Sequence, residues 1–317
     1  MSASLVCLSL SAFTLAASSV SGAVTATLPW LDRLSAALKA RHQVSLWLAL
    51  ASLPSCMAAI AVGTSFLPAV GIGQDHCLTH GSHHPHLCPH HAGAPPGWAL
   101  MLLSLLLGVR VLVVLTALVR DLRLSGTTSD TLAQVSDRYA EALVFPGADP
   151  QAFVLGVVRP RIHLSHGLVN LGNDMLAPVL AHERVHAARR DPLWRALAPV
   201  LAIGHLPSTM KALQKRLYAA QELAADAEAA TTLRGGRPQL AAALVFLARF
   251  SGVTALGPSF TQGDLPGRVH ALLDERGPTP AWLARSLVFF AVALLAAVGA
   301  LAQPIHHLLE TVLGALS

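Results

Sequence analysis

Four windows of the chain are almost free of charge and long enough to cross a lipid bilayer. Residues 1–31, 43–74 and 286–309 contain no Asp, Glu, Lys or Arg, and residues 97–119 contain only Arg110. A helix of about 20 apolar residues crosses the hydrocarbon core, so each window suffices. Only 12% of residues are charged, where a soluble chain carries about 25%. The sequence predicts a mainly α, integral-membrane protein with about four transmembrane helices. The first window has a second reading, a signal peptide cut at "SVSGA". It lacks the Lys or Arg that a signal carries ahead of its apolar run, which favours an uncleaved helix.

The basic residues orient the spans. None lies in 42–109 and none after 285. Arg33, Lys39 and Arg41 fall between the first two windows. Arg120 and Arg123 follow the third, and Arg276 and Arg285 precede the fourth. The positive-inside bias then assigns the 32–43 loop and residues 120–285 to the cytosol, and the 75–96 loop to the outside. This describes a multi-pass protein of the cell (inner or plasma) membrane. Its parts are three spans in 1–119, a cytosolic domain in 120–285, and a fourth span with a short tail in 286–317. The net charge of +5 is a topology signal. No basic-aromatic stripe points to direct nucleic-acid contact.

The external loop is unusual. It holds His76, His80, His83, His84, His86, His90 and His91 beside Cys77 and Cys88. Such tracts bind metal, and an oxidising compartment would also allow Cys77 and Cys88 to pair. A metal-binding or metal-sensing loop and a disulfide-closed, His-biased loop without a dedicated ligand both fit. Cys7 and Cys56 lie within apolar windows, as small hydrophobes. Arg110 is an intramembrane charge with no acid in any span to meet it. A backbone carbonyl, the cytosolic domain, or snorkelling could satisfy it.

Within 120–285 the pattern is α+β. A helix is expected from about residue 130. "LVFPGADPQAFVLGVVRPRIHLS" reads as two or three short strands, with Pro160 demoting one of them to an edge strand or a bulge. A helix over 174–190 follows, capped by Asn173 or Asp174 and stopped at Asp191-Pro192. "LWRALAPVLAIG" is apolar but too short to span, so it is a buried helix or one that dips into the membrane. Further helices are expected over 209–233 and in "RPQLAAALVFLARF".

The first of these helices contains "LAHERVHAARRDP". His182 and His186 stand at i and i+4, which puts both imidazoles on one face. Two such rings can hold one Zn²⁺, and Glu183 beside them is placed to take a proton from water at the metal. A catalytic zinc has three protein ligands and one open position. "AAQELAADAEAA" supplies Glu222 as the third, with Asp226 one turn on. Asp226 can accept the free N–H of a ligand histidine.

These segments together resemble the BlaR/MecR-type membrane zinc metallopeptidases, of the gluzincin class. "FVLGVVRPRIHLSHGL" looks like the family's strand and turn before the active helix. "LAHERVHAARRDPLW" looks like its zinc helix, "QELAADAEA" like its third-ligand helix, and "RVHALL" like its short late motif. The resemblance implies a gluzincin-like peptidase domain between spans three and four. It implies one Zn²⁺ per chain on His182, His186 and Glu222, with Glu183 as catalytic base. It also implies cytosolic protein substrates, notably a winged-helix repressor cut when an outside signal arrives. Two features depart from the family. No penicillin-binding sensor follows the fourth span, and "GHLPS" stands where an aromatic-Asn-Pro turn is common. The oxyanion-stabilising residue is open, with Arg268, His205 and Tyr218 as candidates. By analogy with gluzincins, an edge strand near 157–164 would receive an extended substrate; an ordinary core strand is the other reading of the same residues. Two alternatives are a housekeeping membrane protease of the HtpX type and a metal-responsive membrane sensor whose zinc site is structural.

Overall fold

The computed structural model describes residues 3–67, 97–250 and 264–274, with 308, 311–313 and 315 near the C-terminus. The His/Cys-rich loop, with its nine candidate ligands from His76 to His91, lies outside the described residues. So does the fourth window apart from Leu308.

Among the described residues, three helices are long and apolar enough to cross a membrane: α1 (Ala3–Ala36), α2 (Ala40–Thr64) and α3 (Trp98–Gln134). The helix expected from about residue 130 is the end of α3. No proline interrupts 98–134, so the third span continues past Arg120 and Arg123 as one rod.

A four-stranded sheet follows, built from β1 (Asp137–Tyr139), β2 (Ala142–Phe145), β3 (Ala152–Leu155) and β4 (Arg161–Ser165). Its order is β1-β2-β4-β3. β2 and β4 are parallel and the other pairs antiparallel. This corrects the expected edge strand. Residues 157–160 form a turn, and β4 lies between β2 and β3. Pro160 sits in that turn, where its missing N–H breaks no ladder. Gly156 opens the turn at φ +93, and a Cβ there would lie 2.3 Å from the Arg159 carbonyl oxygen. The outer strand on this side is β3.

After the short α4 (His166–Val169) comes α5 (Asn173–Arg189), capped by Gly172 rather than by Asn173 or Asp174. It ends at Arg189, one residue from the expected position. Arg190 takes a left-handed conformation, φ 55, and Asp191 and Pro192 open the next helix. Proline is at home there, because a first-turn N–H needs no partner within the helix. That helix, α6 (Asp191–Leu201), runs through a 3₁₀ turn (Ala202–Gly204) into α7 (Pro207–Thr232). α8 (Gly236–Leu247) and α9 (Leu265–Leu273) complete the domain.

Two apolar cores meet on α7. One packs Val144, Val154, Ile162 and Leu164 of the sheet against α5, α8 and the Ala225–Ala229–Ala230 side of α7. The other packs Val24, Leu28, Val44 and Trp47 of α1 and α2 against Leu213, Leu217, Ala220 and Ala224. The alanines of "AAQELAADAEAA" are what allow α7 to fit between a membrane helix and the α5 helix.

The turn between α6 and α7 is enclosed by the three long helices. His205 is fully buried, with Nδ1 3.2 Å from Ser21 Oγ and Nε2 2.9 Å from the Leu50 carbonyl. The Gly204 N–H donates to Ser55 Oγ, and a Cβ at Gly204 would come within 2.8 Å of the Ser55 backbone. Arg110 donates to the Ala202 carbonyl at 3.4 Å. The intramembrane arginine thus meets a helix C-terminus, where a cation is favoured.

Candidate metal centre

α5 turns His182, Glu183 and His186 inward, and all three are buried. The two Nε2 atoms lie 2.9 Å apart. Glu222, on α7, brings Oε2 to 3.5 Å from His182 Nε2 and Oε1 to 3.5 Å from His186 Nε2. Donors sharing one tetrahedral ion at zinc bond lengths stand about 3.3 Å apart. Two imidazoles and a carboxylate at this spacing fit one such ion, and the donor set suits zinc.

The outer faces of both rings are anchored. His182 Nδ1 lies 2.9 Å from Asp226 Oδ1, and His186 Nδ1 donates to Asp191 Oδ2 at 2.6 Å. A carboxylate on Nδ1 fixes the tautomer, so each Nε2 lone pair points at the shared centre. Asp226 is held in turn by Arg268, whose Nε and Nη2 donate to it at 2.7 Å each. Arg268 Nη1 also lies 3.2 Å from Glu222 Oε2.

Arg195, on α6, reaches the same carboxylate from the other side. Its Nη2 donates to Glu222 Oε1 at 2.6 Å and its Nε to Gln221 Oε1 at 2.9 Å. Its guanidinium lies over the Tyr218 ring. Burial pushes the Glu183 carboxyl up, against the pull of His182 and His186. Burial acts on Glu222 in the same direction, but its contacts with His182 and His186 hold it well below the ordinary carboxylate range. The two glutamates are therefore set apart: one anion held firmly among cations, the other poised to carry a proton.

Beside the cluster, Glu183, His186 and Glu222 line a small recess with Val154, Asp191 and Arg195. It adjoins a larger open cleft whose walls include Asp121 and Ser125 of α3, Leu155 of β3, and Lys215 and Tyr218 of α7. Chemically, this is a metal-ligand set with a proton-accepting carboxylate beside it, facing an open groove along a sheet edge.

The structure brings together His182, Glu183, His186, Glu222 and Asp226. Of the three oxyanion candidates, only Tyr218 lines the cleft. Arg268 stands behind the ligands, bonded to Asp226. His205 is excluded from the site, because its ring is enclosed by α1 and α2. Asp191 and Arg195 were not singled out from the sequence. "ARRDPLWR" contains both, but the Asp-Pro pair reads there as a helix stop, and only the left-handed turn at Arg190 folds Asp191 back onto His186.

Residues 138–272, from within β1 to within α9, match the family model described as BlaR1 peptidase M56. Over this segment the chain is similar to that family. No curated protein and no solved structure matches it. The M56 segment holds the whole His182–His186–Glu222 cluster together with Arg268. The match to a metallopeptidase family, together with three helices apolar enough to cross a membrane, points to a membrane-associated metallopeptidase.

Proposed function

We propose that this protein is a membrane-embedded zinc endopeptidase that hydrolyses polypeptides at the cytosolic face, through Glu183 and a zinc on His182, His186 and Glu222. The observation that carries the proposal is the pairing of that three-donor cluster with a buried carboxylate at the wall of an open cleft. A structural zinc is closed off by four protein ligands. Three donors facing a groove favour catalysis over a structural role, and so over the sensor reading. When bound, zinc lowers the pKa of water to about 7 and polarises a peptide carbonyl.

The chain's own residues supply the rest. Glu183 accepts the proton of the attacking water and returns it to the leaving amine. Its burial favours the protonated form it must pass through. Asp226 and Asp191 keep the imidazoles in register. Tyr218 and Arg195 stand in the cleft wall, where a donor can meet a carbonyl oxygen. β3 offers its outer edge to an extended substrate.

The domain division follows: spans in 1–119 with the external loop at 75–96, the peptidase in 120–285, and a fourth span and tail in 286–317. Leu313 packs with Leu8, Ala61 and Leu100, at the ends of α1–α3 remote from Arg33 and Arg120. That supports a final crossing. The basic clusters support a cytosolic site, where a winged-helix repressor, another cytosolic protein or the cytosolic part of a membrane protein would be met.

The test is Glu183→Gln in purified full-length protein. Zinc should remain at one per chain, while casein cleavage falls by about 10²–10⁴-fold, the range for loss of a general base. Equal cleavage by wild type and variant would remove the enzyme reading.

A further inference from the structure

The α6–α7 hairpin fixes how deep the metal centre lies. His205 meets Ser21, Thr209 meets Thr25 and Arg216 meets Asp32, each pair 184 residues apart in sequence. A constant offset over 11 residues of contact means that α7 runs parallel to α1 in fixed register. The same register brings Glu222 level with Leu38, in the turn between α1 and α2.

Helical rise converts this into depth at about 1.5 Å per residue. Ser21 stands about 18 Å above Arg33, Leu50 about 13 Å above Arg41, and Arg110 about 15 Å above Arg120. The three helices agree that the hairpin tip sits near the middle of a hydrocarbon core about 30 Å thick. Irregular backbone survives at that depth only where protein satisfies its polar groups. Here Ser21, Leu50, Ser55 and Arg110 do so for residues 202–206. Glu222, level with Leu38, then lies about 8 Å beyond Arg33, within the inner headgroup layer. The far wall agrees independently, because Asp121 and Ser125 follow Arg120 on α3 by one to five residues.

We infer that the cleft takes the membrane-proximal segment of a bilayer-anchored polypeptide, cut within about five extended residues, at about 3.3 Å each, of the hydrocarbon edge. This rests on the endopeptidase function proposed above. A chain already emerging from the bilayer beside α3 enters the groove at that level. A freely diffusing folded protein must instead push a loop between lipid headgroups to reach it.

The experiment uses the full chain in vesicles of phosphatidylcholine and phosphatidylglycerol, with an unstructured casein segment as substrate in three forms. One is joined directly to a single transmembrane helix, one through a 60-residue Gly/Ser spacer, and one is free in solution. Mass spectrometry maps the cuts. The directly joined form should be cut within about five residues of the end of its transmembrane helix, at a kcat/KM at least tenfold above the spacer form, which shares its surface concentration. Equal rates and positions in all three forms would overturn the inference and leave the endopeptidase standing, as would faster cleavage of the free form. No cleavage of any form, in protein shown to hold zinc, would overturn both. Depth is read without activity. In a variant with its four cysteines replaced by alanine, a nitroxide at Leu206→Cys should be reached by oxygen and not by a nickel chelate, while one at Lys215→Cys should lie near the headgroups. A Leu206→Cys label open to the chelate would also overturn the inference.

Discussion

Two carboxylates decide whether the imidazoles at the metal centre can act together. Asp191 accepts the His186 Nδ1–H and Asp226 stands 2.9 Å from His182 Nδ1, and neither touches the shared centre itself. Without that acceptor a ring can rotate or take the other tautomer, and its Nε2 no longer aims at the ion. Asp191→Asn should therefore weaken zinc binding by about 10–100-fold and leave the melting temperature of the metal-free protein nearly unchanged. Competition against a chromogenic chelator measures the first effect and a thermal melt the second. Zinc affinity equal to wild type would show that the His186–Asp191 contact does not position the ring. At this scale the sequence was partly legible. His182 and His186 stand out because the helical repeat alone puts them on one face, and Glu222 because acids are scarce in this chain. Asp191 was hidden because its contact depends on one left-handed residue, Arg190, whose conformation no local pattern marks. Arg195 was hidden because an arginine in an apolar stretch of a cytosolic domain has many ordinary explanations.

The orientation of β3 gives its outer edge a definite chemistry. The Ser165 N–H bonds to the Gln151 carbonyl across the β3–β4 register. Antiparallel ladders alternate, so Phe153 and Leu155 point their backbone groups at β4, while Ala152 and Val154 point theirs outward. Val154 also lines the recess with Glu183 and His186. Val154→Pro removes an outward N–H and no ladder bond, and edge strands tolerate proline. The variant should fold and hold zinc, yet lose at least tenfold in kcat/KM on an extended peptide, mainly through KM. Unchanged cleavage would mean that substrate does not add to this edge. The sequence misplaced that edge because Pro160 demotes whatever strand contains it. Here it falls in a turn, and four residues of displacement exchange an inner strand for an outer one. The helices α5 to α8 were legible to within a few residues, since their apolar spacing is set by the cores they cover, whereas the one expected from residue 130 is the end of α3.

The uncharged windows made the three long apolar helices legible, because such a window of about 20 residues has few other fates. They did not reveal how far the peptidase segment is built into those helices. "LWRALAPVLAIG" showed only that the stretch was apolar and too short to cross. The structure gives the reason: α6, the turn at 202–206 and the first half of α7 fill the space between α1, α2 and α3, with Asp32 and Arg216 closing the inner end through a bidentate pair. The long apolar helices and the peptidase segment thus share α7, which packs on α1 and α2 along one side and on α5, α8 and the sheet along the other. One consequence can be measured. Expressed alone, residues 120–285 would leave Leu213, Leu217, Ala220 and Ala224 without α1 and α2, and would expose the His205 ring and the carbonyls that Ser55 and Arg110 now meet. An apolar face of that extent drives association, and Glu222 lies on the helix that would lose its support. The excised segment should aggregate without detergent and bind zinc less than stoichiometrically. Co-expression of residues 1–119 as a separate chain should restore both solubility in detergent and one zinc per peptidase segment. A soluble, monomeric, zinc-loaded 120–285 fragment would instead show that α7 holds its ligand without the membrane helices, and the peptidase would then be an independent domain that only rests on the bilayer.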